Sequence, residues 1–316
     1  RTLVRMEARG IRVNMDTVRT VEEEIHRRIA AVQATLPPGL NVRSTKQLAE
    51  MFIGMGNDPK DWPRTAPSLT HPKGQASFTE AWLSESEIGR SIVEVRRGTN
   101  MLNSFLVPLR ERHAVDWRVH ANFNQLKTDD YGTVSGRLSC SNPNLQQVPK
   151  HYAELAALFR SIFEPDPGMI WTSNDYKQQE FVIFAIFSQS QDIIDGYNAN
   201  PPVDIHSNVA KMMNVDRSTK AKRLNLGKLY GMGVDLLAQS LNCTPYEARE
   251  LSRKWERMIP TAVLYRRECE DAVRARDAEK RGDGYILTTF GRRRRYPDLT
   301  RAFAAMSGLI QGTCAD

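Results

Sequence analysis

The chain has 316 residues, 41% hydrophobic and 26% charged, enough to bury one large core or about two to three lobes. Its longest apolar run, Phe181 to Phe187, is too short to cross a bilayer, and no charged-then-apolar signal segment opens it, which argues against membrane insertion and secretion. Forty-four Lys and Arg against 37 Asp and Glu leave a net charge of +7, which favours a polyanionic partner such as nucleic acid, while four scattered cysteines, Cys140, Cys243, Cys269 and Cys314, read as free thiols of a reducing compartment rather than a zinc site or disulfide framework.

The first predicted element is an amphipathic helix from Met15 to Leu36, with apolar side chains at helical spacing and a stop at Pro37-Pro38-Gly39. A second follows Ser44, where Ser44-Thr45-Lys46-Gln47 has the form of a capping box and Gln47 can reach back to the first free amides. Gly54 to Gln75, rich in Pro, Gly, Asp and Lys, reads as an exposed, mobile connection, and helix resumes from about Thr79 to Arg112. Trp117 to Phe123 alternates like a half-buried strand, and Tyr131 to Ser141 continues the sheet with turn residues. Gly168 to Asp175 reads as another strand, ending in a carboxylate, before a helical run from Gln178 to Ser188. Asp204 to Arg276 is helical nearly throughout. Tyr285 to Phe290 is a short strand, Gly291 opens a turn with four arginines, and a last helix runs to Asp316. The order predicts an α+β body in which two helical lobes flank a small sheet.

Three stretches carry residues suited to chemistry. A carboxylate at the end of an apolar strand, Asp175, can hold a hard divalent cation, with the Tyr176 carbonyl as a further ligand; on spacing alone, an Asp before a helix is more often its N-cap. Lys222, Leu226 and Tyr230 fall at i, i+4 and i+8, so one helical face offers a cation, an apolar surface and a ring that suit a triphosphate, a sugar and a base. The commoner use of such a pattern is a solvated basic helix with a core seam. Val134 to Pro149 packs Arg, Asn and Gln donors into a turn-rich stretch suited to minor-groove acceptors, although turn chemistry also accounts for its Ser, Asn and Pro.

In this order the stretches resemble the family A DNA polymerases, the bacterial DNA polymerase I type. The family's T-G-R-L-S-S-x-x-P-N-L-Q-N-I-P is similar to Ser135-Gly136-Arg137-Leu138-Ser139 through Pro149, and its motif A, D-Y-S-Q-I-E-L-R, to Asp175 through Val182. Its D-I-H-T resembles Asp204-Ile205-His206-Ser207, and motif B, R-x-x-x-K followed by a helix to Y-G, resembles Arg217 to Gly231. Phe290-Gly291-Arg292-Arg293-Arg294 is similar to F-G-R-R-R, Gln311 to Asp316 to Q-G-T-A-A-D, and Met6 to Val13 to the M-E-x-x-G-V-x-V ahead of the thumb.

The resemblance implies a right-hand polymerase fold, with a helical thumb and fingers around a small antiparallel palm sheet. It divides the chain into a thumb and palm lead-in over 1–115, a palm with motif A over 116–185, fingers with the motif B helix over 186–282, and a return to the palm over 283–316. It implies DNA-directed DNA synthesis, in which deoxynucleotides are added to a primer 3′-hydroxyl by two-metal-ion phosphoryl transfer with release of pyrophosphate. Asp175, with the Tyr176 carbonyl, would bind two Mg²⁺ ions, for which Mn²⁺ can substitute. Lys222 would contact the triphosphate and protonate pyrophosphate, a job suited to a compact ammonium. Gln178, His206, Arg217 and Leu226 join it at the nucleotide, Tyr230 stands at the templating position, and Glu180 is the gate against a ribose 2′-hydroxyl. Arg137, Asn144, Gln146, Gln147 and Gln311 would meet the minor groove behind the primer end, with Asn103 and Ser104 also on DNA. Primer–template DNA and deoxynucleoside triphosphates are the implied partners, in the cytoplasm of a bacterial or phage-infected cell.

Departures from the family pattern are informative. The family places its motif B arginine four residues before the lysine; here Ser218 holds that position and Arg217 sits one residue earlier, about 100° around a regular helix, so a loosened first turn is needed to restore it. Leu226 stands where most relatives of the resembled family have Phe or Tyr; leucine at this position is found mainly among its phage members. Val182 replaces the motif A arginine, Gln147 an asparagine, and Ser307 the asparagine before Q-G-T. Motif C, with the second metal-binding carboxylate, follows Q-G-T-A-A-D in the family and is not in the sequence, which predicts a palm incomplete on its C-terminal side: a piece of a longer polymerase, or one half of a split enzyme completed by a second polypeptide. The alternatives are a non-catalytic polymerase-like DNA-binding subunit and a basic helical scaffold. A sugar gate retained alongside Asp175, Lys222 and Tyr230 argues against both.

Overall fold

Asn14 accepts the backbone N–H groups of Asp16 and Thr17 and so starts the first long helix, Met15–Gln33. Val18, Val21 and Ile25 recur on its buried face, where it packs against the helix Glu87–Met101. Gly98 allows this approach, since a Cβ there would lie 2.8 Å from Ile29. The computed structural model describes residues 1–68, 70–148 and 153–316. It divides into two compact units, 1–123 with 140–172, and 124–139 with 173–316.

The first unit holds a four-stranded antiparallel sheet in the order Ala114–Val115, Arg118–Val119, Ile11–Val13, Phe163–Glu164, with Ile11 opposite Val119 and Arg12 opposite Glu164. The strand expected from Trp117 to Phe123 is interrupted. Asp116 and Trp117 both take positive φ, 49° and 63°, as the two-residue turn of a tight hairpin requires, and Trp117 is turned out to solvent. The helix expected over Thr79–Arg112 is also divided. Thr79 and Ser86 each cap a separate start, by accepting from Trp82 and Gly89, and around Pro108, which has no N–H to give, the chain widens into π turns at Leu102–Leu106 and Leu109–His113. The described residues of Gly54 to Gln75 are largely exposed, as expected, but Trp62 among them is buried with its ring 5.0 Å from Phe78. The Gln47 side chain bypasses the Ser44 amide and accepts from Asn41 N–H at 2.6 Å.

Gly168 to Asp175 is not a strand. Met169, Ile170 and Trp171 are exposed, and none of the described strands pairs with the segment. An apolar run alone does not make a strand without a neighbour to satisfy its amides.

The second unit is mainly helical, with a core of Phe181, Phe184, Leu224, Trp255, Val273 and Ile310 among others. Its helices include Gln179–Phe187, Ile205–Met213, Lys222–Leu229, Pro245–Met258, Pro260–Glu279 and Ala305–Ala315. An antiparallel hairpin sets Tyr285–Leu287 against Arg293–Arg295. Helices with small sheets make the fold α+β, as the order of patterns implied.

Candidate active site

The motif B stretch begins with a carboxylate. Asp216 accepts from the Thr219 amide at 2.6 Å and from the Ser218 and Thr219 hydroxyls, which hold its carboxyl down at about 2. The Ala221 amide returns to the Asp216 carbonyl at 2.9 Å, and the Lys222 amide to that of Arg217, so a π turn over Arg217–Ala221 precedes the regular helix Lys222–Leu229. One wide turn thus separates Arg217 from Lys222, and both line one cleft of about 540 Å³. That volume is in the range of small-molecule sites.

The same cleft, within the second unit, is lined by Arg137, Asp175, Tyr176, Gln178, Glu180, His206, Leu226 and Tyr230. Lys222, Leu226 and Tyr230 therefore do present one face, while the opposite side of the helix buries Leu224, Asn225 and Lys228. Lys222 is exposed and has no partner among the described residues. Arg217 is held: Nε donates to Asp204 at 2.9 Å and to the Ser207 hydroxyl at 3.1 Å. Burial pushes the Asp204 carboxyl up, but Arg217 and the amides of Ser207 and His206, which Asp204 caps, outweigh it and hold it below its usual range. His206 is itself buried, and burial lowers its imidazole pKa, opposed by Asp204 and aided by Arg217 and Lys222.

Glu180 forms the polar floor. Its two carboxylate oxygens accept from the Arg137 guanidinium and from the Tyr230 hydroxyl, and Tyr230 also bonds Gln311. Burial, then Glu180, raises the Tyr230 phenol above its ordinary pKa. Gln178 starts the helix Gln179–Phe187 from a left-handed backbone, φ 56°. Tyr197 donates to its Oε1 at 2.9 Å, leaving Nε2 buried without a partner among the described residues.

Asp175 does not cap that helix; the N-cap position is Gln178. It is exposed and makes no hydrogen bond among the described residues. A free carboxylate suits Mg²⁺, which takes one or two carboxylates together with substrate phosphates. The other carboxylate of the cleft, Glu180, is engaged at both oxygens, and no group of three His, Cys, Asp or Glu suited to a metal occurs among the described residues. Asp175 is thus the carboxylate of this cleft with its oxygens open to a cation.

The remaining expected DNA contacts belong to the first unit. Asn144 caps the short turn Leu145–Gln147 by accepting from the Gln146 amide at 3.1 Å, Gln146 and Gln147 are exposed, and Asn103 and Ser104 lie exposed in the π turn Leu102–Leu106. Pro149, the last residue of that motif, lies outside the described residues. Sequence reasoning did not single out Tyr197, Asn225 or Trp255. The role of Asp204 toward Arg217 had a signal in its helix-capping position.

The fold is that of a polymerase domain. A solved structure from M. smegmatis, the POL domain of Pol1 in complex with DNA primer-template and dNTP, matches with a TM-score of 0.76 and 23% identity, covering 99% of this chain and 56% of that one. The family profile described as DNA polymerase family A matches residues 13–316, and the chain belongs to that family. Its relatives include DNA polymerase DpoZ of Vibrio phage phiVC8, 30% identical over all of this chain and 54% of the relative, and DpoZ of Acinetobacter phage SH-Ab 15497, 30% identical over all of this chain and 56% of the relative. DNA polymerase I of Thermus aquaticus is 28% identical over 99% of this chain and 38% of its own. The chain spans about half the length of its phage relatives. Among the described residues no helix is long and apolar enough to cross a membrane.

Proposed function

We propose that the chain carries the nucleotide site of a DNA-directed DNA polymerase, which extends a primer on a DNA template in the cytoplasm of a bacterial or phage-infected cell. The observation that carries this reading is the single cleft in which Arg217, Lys222 and His206 stand beside Leu226, Tyr230 and Glu180. Two cations and a buried imidazole suit a triphosphate, the apolar and aromatic side chains suit sugar and base, and Glu180 occupies the position of a 2′-hydroxyl gate. In the reaction the primer 3′-hydroxyl gives its proton to solvent water as its oxygen bonds to the α-phosphorus, the bond from that phosphorus to the bridging oxygen breaks, and Lys222 Nζ gives a proton to the departing pyrophosphate. Asp175 would hold Mg²⁺, which when bound lowers the pKa of the 3′-hydroxyl and offsets phosphate charge. The arrangement of the chain as thumb, palm and fingers, with Asn103, Ser104, Asn144, Gln146 and Gln147 on DNA, belongs to the same proposal.

A second reading is favoured by the engagement of Glu180 at both oxygens: a two-ion site takes its other carboxylate from a further segment or a second polypeptide. Magnesium-dependent primer extension by the chain, with Asp175→Asn as control, separates the two. Extension by the parent alone supports the first. Triphosphate and primer–template binding without extension supports the second. Extension by both proteins alike, or no binding of either ligand, overturns the proposal.

A further inference from the structure

Three buried side chains from three helices form a line behind the cleft. Asn225 Nδ2 lies 2.8 Å from His206 Nδ1, and Trp255 Nε1 lies 2.6 Å from Asn225 Oδ1. His206 is 5% exposed, Asn225 0% and Trp255 1%, so water does not compete for these bonds. The chemistry of each atom then fixes the next. An indole N–H only donates, so the Asn225 atom facing Trp255 is the carbonyl oxygen. The Asn225 atom facing His206 is therefore the amide NH₂, which also only donates. Nδ1 of His206 must accept, and the ring proton is left for Nε2.

We propose that Trp255 and Asn225 are positioning residues that fix His206 as its neutral Nε2–H tautomer, giving the cleft a directed hydrogen-bond donor without a third charge. The groups around the ring agree. Asp204, two residues earlier, favours a charged ring, but its oxygens are taken by Arg217 and by the amides of His206 and Ser207, and burial of the ring outweighs it. Arg217 and Lys222 oppose a third positive charge nearby. Phe181 packs edge to face against the ring at 5.4 Å, an apolar neighbour with no acceptor. Behind the line, Lys228 stands 5.9 Å from the Trp255 ring centre and is tied to Ser252 at 2.7 Å and Glu256 at 2.5 Å, which holds the indole from its other side. What the N–H meets rests on the nucleotide reading above; the tautomer itself does not.

The test is a long-range ¹H–¹⁵N correlation spectrum of the full chain labelled at histidine, with the His206 signals assigned by their loss in His206→Gln. The expected pattern is a protonated Nε2 and an unprotonated Nδ1 at neutral pH. A protonated Nδ1, an imidazolium, or a mixture of tautomers overturns the proposal. Trp255→Phe keeps a ring in the core but removes the N–H that orients Asn225, so a second tautomer should grow in; an unchanged spectrum would remove Trp255 from the relay. Asn225→Asp offers His206 an acceptor only and should move the proton to Nδ1. With a deoxynucleoside triphosphate as probe, Trp255→Phe should weaken binding by about two- to ten-fold, the fraction of competent ring lost, with primer–template affinity unchanged. A correct tautomer whose signals do not respond to the triphosphate would leave the relay standing and refute the nucleotide site.

Discussion

Glu180 and Tyr230, fifty residues apart, are joined side chain to side chain, the phenol donating to one carboxylate oxygen while Arg137 takes the other. The Glu180 carboxylate is therefore braced from two sides. Glu180→Ala removes the acceptor of a half-buried hydroxyl and should lower stability by about 1–3 kcal/mol, read as a fall in melting temperature. It should also raise the ratio of ribonucleotide to deoxynucleotide bound or incorporated. Tyr230→Phe keeps the ring and should cost only about 1 kcal/mol. Unchanged sugar preference in Glu180→Ala would show that the carboxylate is structural alone.

Leu226 is half-buried on the cleft side of its helix. Leucine offers a nucleotide less flat contact than an aromatic ring, so Leu226→Phe should shift the ratio of dideoxynucleotide to deoxynucleotide incorporation while changing stability by less than about 1.5 kcal/mol. An unchanged ratio contradicts a contact at this position.

The imidazole of His206 is held below its ordinary value by burial. Unfolded, it titrates near 6.5, so between that value and the lower native one the unfolded state binds more protons. Stability is then fully present above about pH 6.5 and falls as pH drops through the native value. His113, lowered by burial and by Arg112, adds the same sign. His206→Gln should therefore flatten, without abolishing, the loss of melting temperature between about pH 7 and pH 5.5. An identical slope in parent and variant would contradict the buried neutral ring.

Gly136 takes φ +84°, and a Cβ there would lie 1.1 Å from Nη1 of Arg292, whose guanidinium pairs with Asp316. Gly136→Ala should both strain the backbone and displace that ion pair, lowering stability by about 1–3 kcal/mol. A thermal melt within about 0.3 kcal/mol of the parent would mean that the turn relaxes freely.

Much of the cleft was legible because its parts recur at short spacing: the Lys222, Leu226 and Tyr230 face follows from helical period alone, and the carboxylates follow from a motif. What was not legible depends on partners distant in sequence. Gly168 to Asp175 reads as an apolar strand ending in a carboxylate, yet a strand needs a neighbour, which an apolar run does not supply. Arg217 is one residue out of register for a regular helix, and only the π turn seeded by Asp216 returns it to the cleft. Asn225 and Trp255 carry no local signal, because the bonds from Asn225 to His206 and from Trp255 to Asn225 span 19 and 30 residues. Asp175 was more readily read as a cap than the structure allows, since Gln178 takes that position in a left-handed conformation that favours glycine or asparagine.

The central claim is that this cleft takes a triphosphate, and the most direct measurement is the affinity of a deoxynucleoside triphosphate with Mg²⁺ for the primer–template complex of the parent, of Lys222→Ala, and of Lys211→Ala, an exposed lysine outside the cleft. Loss of a charged hydrogen bond worth about 1.5–3 kcal/mol predicts about 10- to 150-fold weaker binding for Lys222→Ala and parent affinity for Lys211→Ala. Equal affinity in all three, or an equal loss in both variants, would contradict it.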